Sequence, residues 1–149
     1  MGDYTNQEHI YENGSVYFGK FADPGQKIKE GNGLMVYGNG TKYEGEYHDN
    51  QKAGFSKMTY NNGGVYEGQW KSGQKNGDGV YNYPNSDVYK GNFQDDLRNH
   101  DGKYVFANGD CYQGNFKAGL RNGKGKMTYS TEEKYLGDYL NNERHGLGK

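Results

Sequence analysis

Four histidines and one cysteine are the side chains in this sequence best suited to metal binding or nucleophilic chemistry. His9, His48, His100 and His145 stand singly, mostly in stretches that read as turns. No His-x-x-x-His or Cys-x-x-Cys spacing brings two ligands together, so no zinc site is expected. Cys111 shares its phase in the pattern with Val16, Val65 and Val88, which makes it a small apolar filler rather than a nucleophile. The stretch "GLRNGKGKMT" has the outline of a phosphate loop, but Leu120 stands at the first glycine position and Met127 replaces the Ser or Thr. Gly-x-Gly in "GNGLMVYG" opens no helix, as a dinucleotide site requires. No catalytic residue, metal or cofactor is expected.

Two periodic sets offer binding chemistry instead. Lys29, Lys52, Lys75, Arg98, Arg121 and Arg144 share one phase, so six cations should line one edge. Such an edge would suit anionic lipid, at roughly 1 kcal/mol per cation close to the membrane. Against that, Asp49, Asp95, Asp96 and Asp101 offset much of the field, and each cation can serve as an ordinary turn residue with its stem over apolar surface. The second set is aromatic: Tyr37, Tyr60, Tyr83, Phe106 and Tyr129. These rings are candidates for a groove that holds an amphipathic helix or an extended peptide of a protein partner. Met35, Met58 and Met127, two residues earlier in their units, would add adaptable contact area.

The element that must position both sets is a repeat. Tyr43, Tyr66, Tyr89, Tyr112 and Tyr135 follow one another every 23 residues, and Tyr17 precedes Tyr43 by 26. Two residues after these tyrosines stand Gly19, Gly45, Gly68, Gly91, Gly114 and Gly137. Two further on stand Phe21, Tyr47, Trp70, Phe93, Phe116 and Tyr139. Spacing by two puts the three on one face of a strand. The residues between them, such as Glu44 and Glu46 or Lys90 and Asn92, are polar and face the other way. A second short strand and Gly/Asn-rich turns complete each unit as one β-hairpin. The expected fold is all-β, an elongated single-layer antiparallel meander of stacked hairpins. Residues 1–8 form a tail, 9–16 a half unit, and further units start at 17, 43, 66, 89, 112 and, in part, 135. The chain stops at "HGLGK", before the second strand of the last unit, leaving an edge open to edge-to-edge association.

Composition agrees. Leu, Ile, Val and Phe number 20, about 13%, below the roughly 20% that marks disorder, yet the formal charge is only −1 and there are 16 Tyr, 6 Phe and 1 Trp. One buried ring removes roughly 150–250 Å² from water, about 4–6 kcal/mol as an upper estimate, so rings can replace a Leu/Ile core. Mid-strand glycine would then clear room for a ring to lie flat on the backbone. Gly45, Gly68, Gly91 and Gly114, with Trp70, Phe93 and Phe116, are therefore assigned to structure. The near-zero charge argues against nucleic acid. Met1-Gly2 suits myristoylation only superficially, because position 6 is Asn. With no signal segment, no apolar span and one cysteine, the chain reads as cytoplasmic.

The pattern Tyr-Glu-Gly-x-aromatic, Gly-x-Gly, Tyr-x-x-Gly, best seen in "YEGQWKSGQKNGDGVYNYPNSDVY", resembles the MORN (membrane occupation and recognition nexus) repeat over His9 to Lys149. Ser56 and His100 stand where glycine is usual, and Lys90, Gln113 and Leu136 replace the Glu. The resemblance implies an elongated single-layered sheet acting as a non-catalytic scaffold or adaptor, with protein partners and a cytoskeletal or ciliary setting. Peripheral binding of anionic phospholipid through the Lys/Arg edge is the alternative.

Overall fold

A computed structural model describes residues 7–23 and 25–149. The first six residues of the expected tail, Met1 and Gly2 included, lie outside them; Gln7 and Glu8 begin the first strand. The chain forms two compact units that meet in sequence between Gln74 and Lys75. The first holds β1 (Gln7–Ile10), β2 (Val16–Asp23), β3 (Ile28–Val36), β4 (Lys42–His48), β5 (Gln51–Thr59) and β6 (Val65–Lys71). The second holds β7 (Gln74–Asn82, from its second residue), β8 (Val88–Gln94), β9 (Leu97–Val105), β10 (Cys111–Lys117), β11 (Leu120–Thr128), β12 (Lys134–Leu140) and β13 (Glu143–His145). Within each unit neighbours in sequence pair antiparallel, from β1 through β6 and from β7 through β13. No helix occurs among the described residues. The fold is the all-β hairpin meander that the alternation implied.

Two kinds of turn alternate. The hairpin tips Asp49–Asn50, Ser72–Gly73, Asp95–Asp96, Ala118–Gly119 and Asn141–Asn142 have positive φ at both residues, the type I′ geometry that matches strand twist. The other turns open on an aromatic whose carbonyl accepts the N–H three residues on, as in Gly40 to Tyr37 and Gly109 to Phe106. An Asn amide oxygen braces five of them from inside, at Asn13, Asn39, Asn62, Asn85 and Asn108. Consecutive turns are also stitched together. The N–H of Gly38 donates to Ser15 Oγ (3.2 Å), that of Asn61 to Thr41 Oγ1 (3.2 Å), that of Ala107 to Asp87 Oδ1 (2.8 Å) and that of Ser130 to Asp110 Oδ1 (2.8 Å).

The core is a file of rings lying on bare backbone. Tyr17, Tyr43, Tyr66, Tyr89 and Tyr112 are completely buried and Tyr135 nearly so. The rings of Tyr17, Tyr89, Tyr112 and Tyr135 lie over the glycine two residues on and over the glycine opposite. A Cβ at Gly33 would stand 2.5 Å from the Tyr17 ring, one at Gly102 2.5 Å from Tyr89, and one at Gly125 2.4 Å from Tyr112. Ser56 takes this place once; its Oγ accepts from Glu46 N–H and donates to the Ala53 carbonyl. Every one of the six hydroxyls donates to the carbonyl three residues ahead: Lys20, Glu46, Gln69, Asn92, Asn115 and Asp138, at 2.6–3.3 Å. The polar tip of a buried tyrosine needs such a partner.

The second aromatic of each motif meets these rings edge to face. Phe21, Tyr17, Tyr47, Tyr43, Trp70 and Tyr66 form one unbroken series with centroids 5.0–5.5 Å apart. Phe93, Tyr89, Phe116, Tyr112, Tyr139 and Tyr135 form the other, at 5.1–5.5 Å. Gly68, in β6, is buried too.

Three expectations need correction. Met35, Met58 and Met127 are buried in the ring layer, 4–7% exposed, and offer no contact surface. The histidines sit in strands, in β1, β4, β9 and β13, rather than in turns. The last unit does begin its second strand: β13 pairs with β12, and Lys149 exchanges two backbone hydrogen bonds with Leu136.

Two substitutions test this core by urea unfolding. Trp70, 5% exposed, has its indole N–H on the Ser56 carbonyl; Trp70→Ala should cost about 3–5 kcal/mol. A Cβ at Gly114 would stand 2.5 Å from the Gly125 Cα and 2.5 Å from the Lys124 carbonyl oxygen. Both neighbours are backbone, so Gly114→Ala should cost roughly 1–3 kcal/mol or more.

Candidate functional site

Within each unit, the two binding sets read from the sequence lie together. Tyr37, Tyr60, Tyr83, Phe106 and Tyr129 lie just past the strand ends, as the residues that open the turns, and are half-buried. The cations point back over these rings and over the core rings beneath. Lys29 is 9% exposed, with its Nζ 5.3–5.7 Å from the centroids of Tyr11, Tyr17 and Tyr47. Lys52 stands over Tyr37, Tyr43 and Trp70, and Lys75 over Tyr81. Arg98 touches Tyr83, Tyr89, Tyr104 and Phe116; Arg121 touches Phe106, Tyr112 and Tyr139; Arg144 touches Tyr129 and Tyr135. All fall within about 6 Å, where the negative ring face attracts a cation.

Hydrogen bonds fix the arginines further. Arg98 Nη2 donates to the Gly119 carbonyl (2.6 Å) and Nη1 to Tyr83 Oη (3.4 Å). Arg121 reaches Asn142 through Nε and Nη2, and Arg144 donates to Tyr129 Oη. Lys75 Nζ pairs with Asp96 at 3.8 Å. Burial pushes the Lys29 ammonium below the usual lysine range, and the charge of Lys52 adds to this. Burial lowers Lys75 as well, against the opposing pull of Asp96. Lys29, Lys52, Lys75, Arg98 and Arg121 are held against rings of their own unit rather than projecting from an edge, whereas Arg144 is exposed.

In the second unit two further rings extend the turn aromatics into a wall. Tyr81 and Tyr104 occupy the phase held elsewhere by Met35, Met58 and Met127. Tyr81 stacks on Tyr83 at 4.3 Å, Tyr83 meets Tyr104 at 5.7 Å, and Tyr104 meets Phe106 at 4.7 Å. The Tyr104 hydroxyl donates to Asp87 Oδ2 at 2.6 Å. Burial acts to raise the Asp87 carboxyl, but hydrogen bonds from Tyr104, Ala107 and Asn85 outweigh it and hold the group below the usual range. Beside the wall lies a cavity of about 130 Å³ lined by Arg98, Tyr104, Phe106, Phe116, Arg121 and Asn142. Sequence reasoning passed over Tyr81 and Tyr104, although the change from Met to Tyr at a fixed phase marks them. It also passed over Tyr11, which holds the turn-opening phase in the N-terminal half unit.

No cluster of three or more His, Cys, Asp or Glu side chains able to hold a metal occurs among the described residues. His48 pairs with Glu30 at 2.9 Å on exposed surface, and Cys111 sits half-buried at the start of β10.

The MORN repeat profile matches residues 26–42, 43–65, 66–88, 89–111, 112–132 and 135–149. The chain belongs to the MORN repeat family. Among curated proteins none matches it. Among solved structures, this MORN chain is similar to the wild-type TCP10 domain of Danio rerio CPAP, with 15% identity and a TM-score of 0.52 over 92% of this chain and 65% of that one. The chain thus spans about two thirds of that domain, and the likeness is one of fold. The TCP domain of Drosophila melanogaster SAS-4 (dCPAP), solved in complex with a proline-rich motif of Ana2, matches at 16% identity and a TM-score of 0.39 over 91% of this chain and 85% of its own. The Danio rerio domain in complex with a STIL peptide matches at 13% and 0.39, over 91% and 71%. Tyr81 and Tyr104 depart from the Met that holds their phase in other repeats of this MORN chain.

The buried tyrosines predict a pH response. Burial, the largest cause, pushes Tyr17, Tyr43 and Tyr112 up to about 12, whereas an unfolded tyrosine titrates near 10. Between those values the unfolded chain has released protons that the folded chain keeps. Stability should therefore fall as pH rises above 10, by about 1.4 kcal/mol per pH unit for each such tyrosine. Tyrosinate absorbance and far-ultraviolet dichroism should change together in one cooperative step. Ordinary titration of all tyrosines near pH 10 with unchanged dichroism would contradict the burial.

Proposed function

We propose that this MORN chain is a non-catalytic scaffold that holds a segment of a protein partner against its turn-aromatic wall, centred on Tyr81, Tyr83, Tyr104 and Phe106. The observation that carries the reading is the split between two ring populations. The core rings of the repeat motif are buried to 8% exposure or less, whereas Tyr81, Tyr83, Tyr104 and Phe106 are only half-buried and form one contiguous series in the second unit. Partly exposed aromatics held rigid by stacking are the type of anchor that dominates protein interfaces. Further candidate anchors are Tyr129 and, in the first unit, Tyr37 and Tyr60. A setting in a cytoskeletal or ciliary assembly in the cytoplasm belongs to the proposal and rests on family membership. Binding of anionic lipid by Lys29, Lys52, Lys75, Arg98, Arg121 and Arg144 has less support, because contacts with rings hold these cations in against the sheet and Asp49, Asp95, Asp96 and Asp101 offset their field.

The test is capture of partners by the intact chain, with bound proteins identified by mass spectrometry, repeated on Tyr83→Ala combined with Phe106→Ala. Partners recovered by the wild type should be lost from the double variant while its far-ultraviolet dichroism stays intact. Loss of both signals together would show those rings to be core, and undiminished capture would place the partner elsewhere.

A further inference from the structure

The cavity beside the wall deepens that reading, on which it rests, by giving the partner a chemistry. Two guanidinium groups, Arg98 and Arg121, line a space of about 130 Å³ whose other walls are Tyr104, Phe106, Phe116 and Asn142. No carboxylate is among them. A guanidinium carries five N–H groups. Arg98 places two on Gly119 O and Tyr83 Oη, and Arg121 directs its bonds to Asn142 alone. Neither forms an ion pair among the described residues. The carboxylate that acts on Arg98, Asp87, is held by Tyr104, the Ala107 N–H and Asn85.

The two groups are also fixed in place. Arg98 lies 5.0 Å from the Tyr104 centroid and 5.5 Å from that of Phe116; Arg121 lies 6.0 Å from Phe106 and 5.4 Å from Tyr139. Two oriented, unpaired guanidinium groups facing a space with aromatic walls form a receptor for a planar anion, because their N–H forks match a carboxylate in two-point contact. At about 130 Å³ the space, open to solvent on one side, is of a size to take one side chain.

We infer that the cavity receives the carboxylate of an Asp or Glu side chain from the partner segment, whose flanking residues lie on Tyr83 and Phe106. The acidic residue then fixes the position of the segment along a wall that its rings alone would leave free to slide. The cations at the same phase in the first unit, Lys29 and Lys52, lack the planar fork and suit this contact less well.

The probe is a library of random dodecapeptides displayed on phage and selected against the intact chain, with binders that fail on Tyr83→Ala/Phe106→Ala kept as wall-dependent. These should share an Asp or Glu at a fixed position. Changing it to Asn or Gln should weaken binding to the wild type by about tenfold or more, in line with a charge-assisted hydrogen bond. The same change should cost little in R121Q, whose melting temperature is measured alongside as a check on folding. Wall-dependent binders with no acidic preference would overturn this inference and leave the proposed function standing. An acidic preference that survives in R121Q would overturn it by placing the acid elsewhere. Displacement of the binders by millimolar inorganic phosphate would do so too, making the cavity a general anion site. A library that yields no wall-dependent binder would remove the proposed function and this inference together.

Discussion

A tyrosine ring resting on two facing glycines, with its hydroxyl on the carbonyl three residues ahead, is the contact on which this molecule depends. It solves two problems at once in a single-layer sheet. A sheet with no second layer has nothing to press against its apolar face, and a ring folded onto its own backbone supplies that cover from within the strand. The bare backbone lets the ring descend until it excludes water, which a Cβ at Gly33, Gly102 or Gly125 would prevent. The hydroxyl then finds a carbonyl rather than an apolar neighbour. The ring thus gains burial without leaving an unsatisfied donor, whose cost would be about 1–3 kcal/mol.

The second aromatic and the cation follow from that contact. Once the tyrosine lies flat, it meets Phe21, Tyr47, Trp70, Phe93, Phe116 or Tyr139 at 5.0–5.5 Å in the edge-to-face arrangement that ring quadrupoles favour. The stacked ring faces are negative and carry a cation per repeat. The cation in turn closes over the turn aromatic. Core, cover and candidate binding surface are three layers of one repeating side-chain sequence, so each turn aromatic also contributes to the packing beneath it.

The fold was largely legible because period-two spacing and a 23-residue interval are direct images of strand geometry. Tyr43-Gly45-Tyr47 and Tyr66-Gly68-Trp70 declare by residue type and spacing alone which face is buried. The destination of the cations was less legible. The phase of Lys29 or Arg98 shows that they form a line, but whether the line faces solvent or folds back onto rings depends on side-chain rotamers, which spacing does not encode. Met35, Met58 and Met127 were misplaced for a related reason. Each stands opposite a core tyrosine on both neighbouring strands, Met35 between Tyr17 and Tyr43, Met58 between Tyr43 and Tyr66, and Met127 between Tyr112 and Tyr135. That placement is set by cross-strand register, which the repeat period leaves open. Tyr81 and Tyr104 were passed over because a repeat draws attention to what recurs, and these two residues matter for departing from it.

The stitches between turns have a direction. The side chains of Ser15, Thr41, Asp87 and Asp110 each cap an amide in the turn that comes later in the chain. Removing the earlier partner strands a donor, whereas removing the later one merely frees an acceptor with a second lone pair for water. At the hairpin tips the sense is reversed: Asn50, Asp96 and Asn142 accept through Oδ1 from the earlier amides of Lys29, Lys75 and Arg121. Within each unit the two rims are therefore laced in opposite senses, so unzipping from either end strands amides along one rim only.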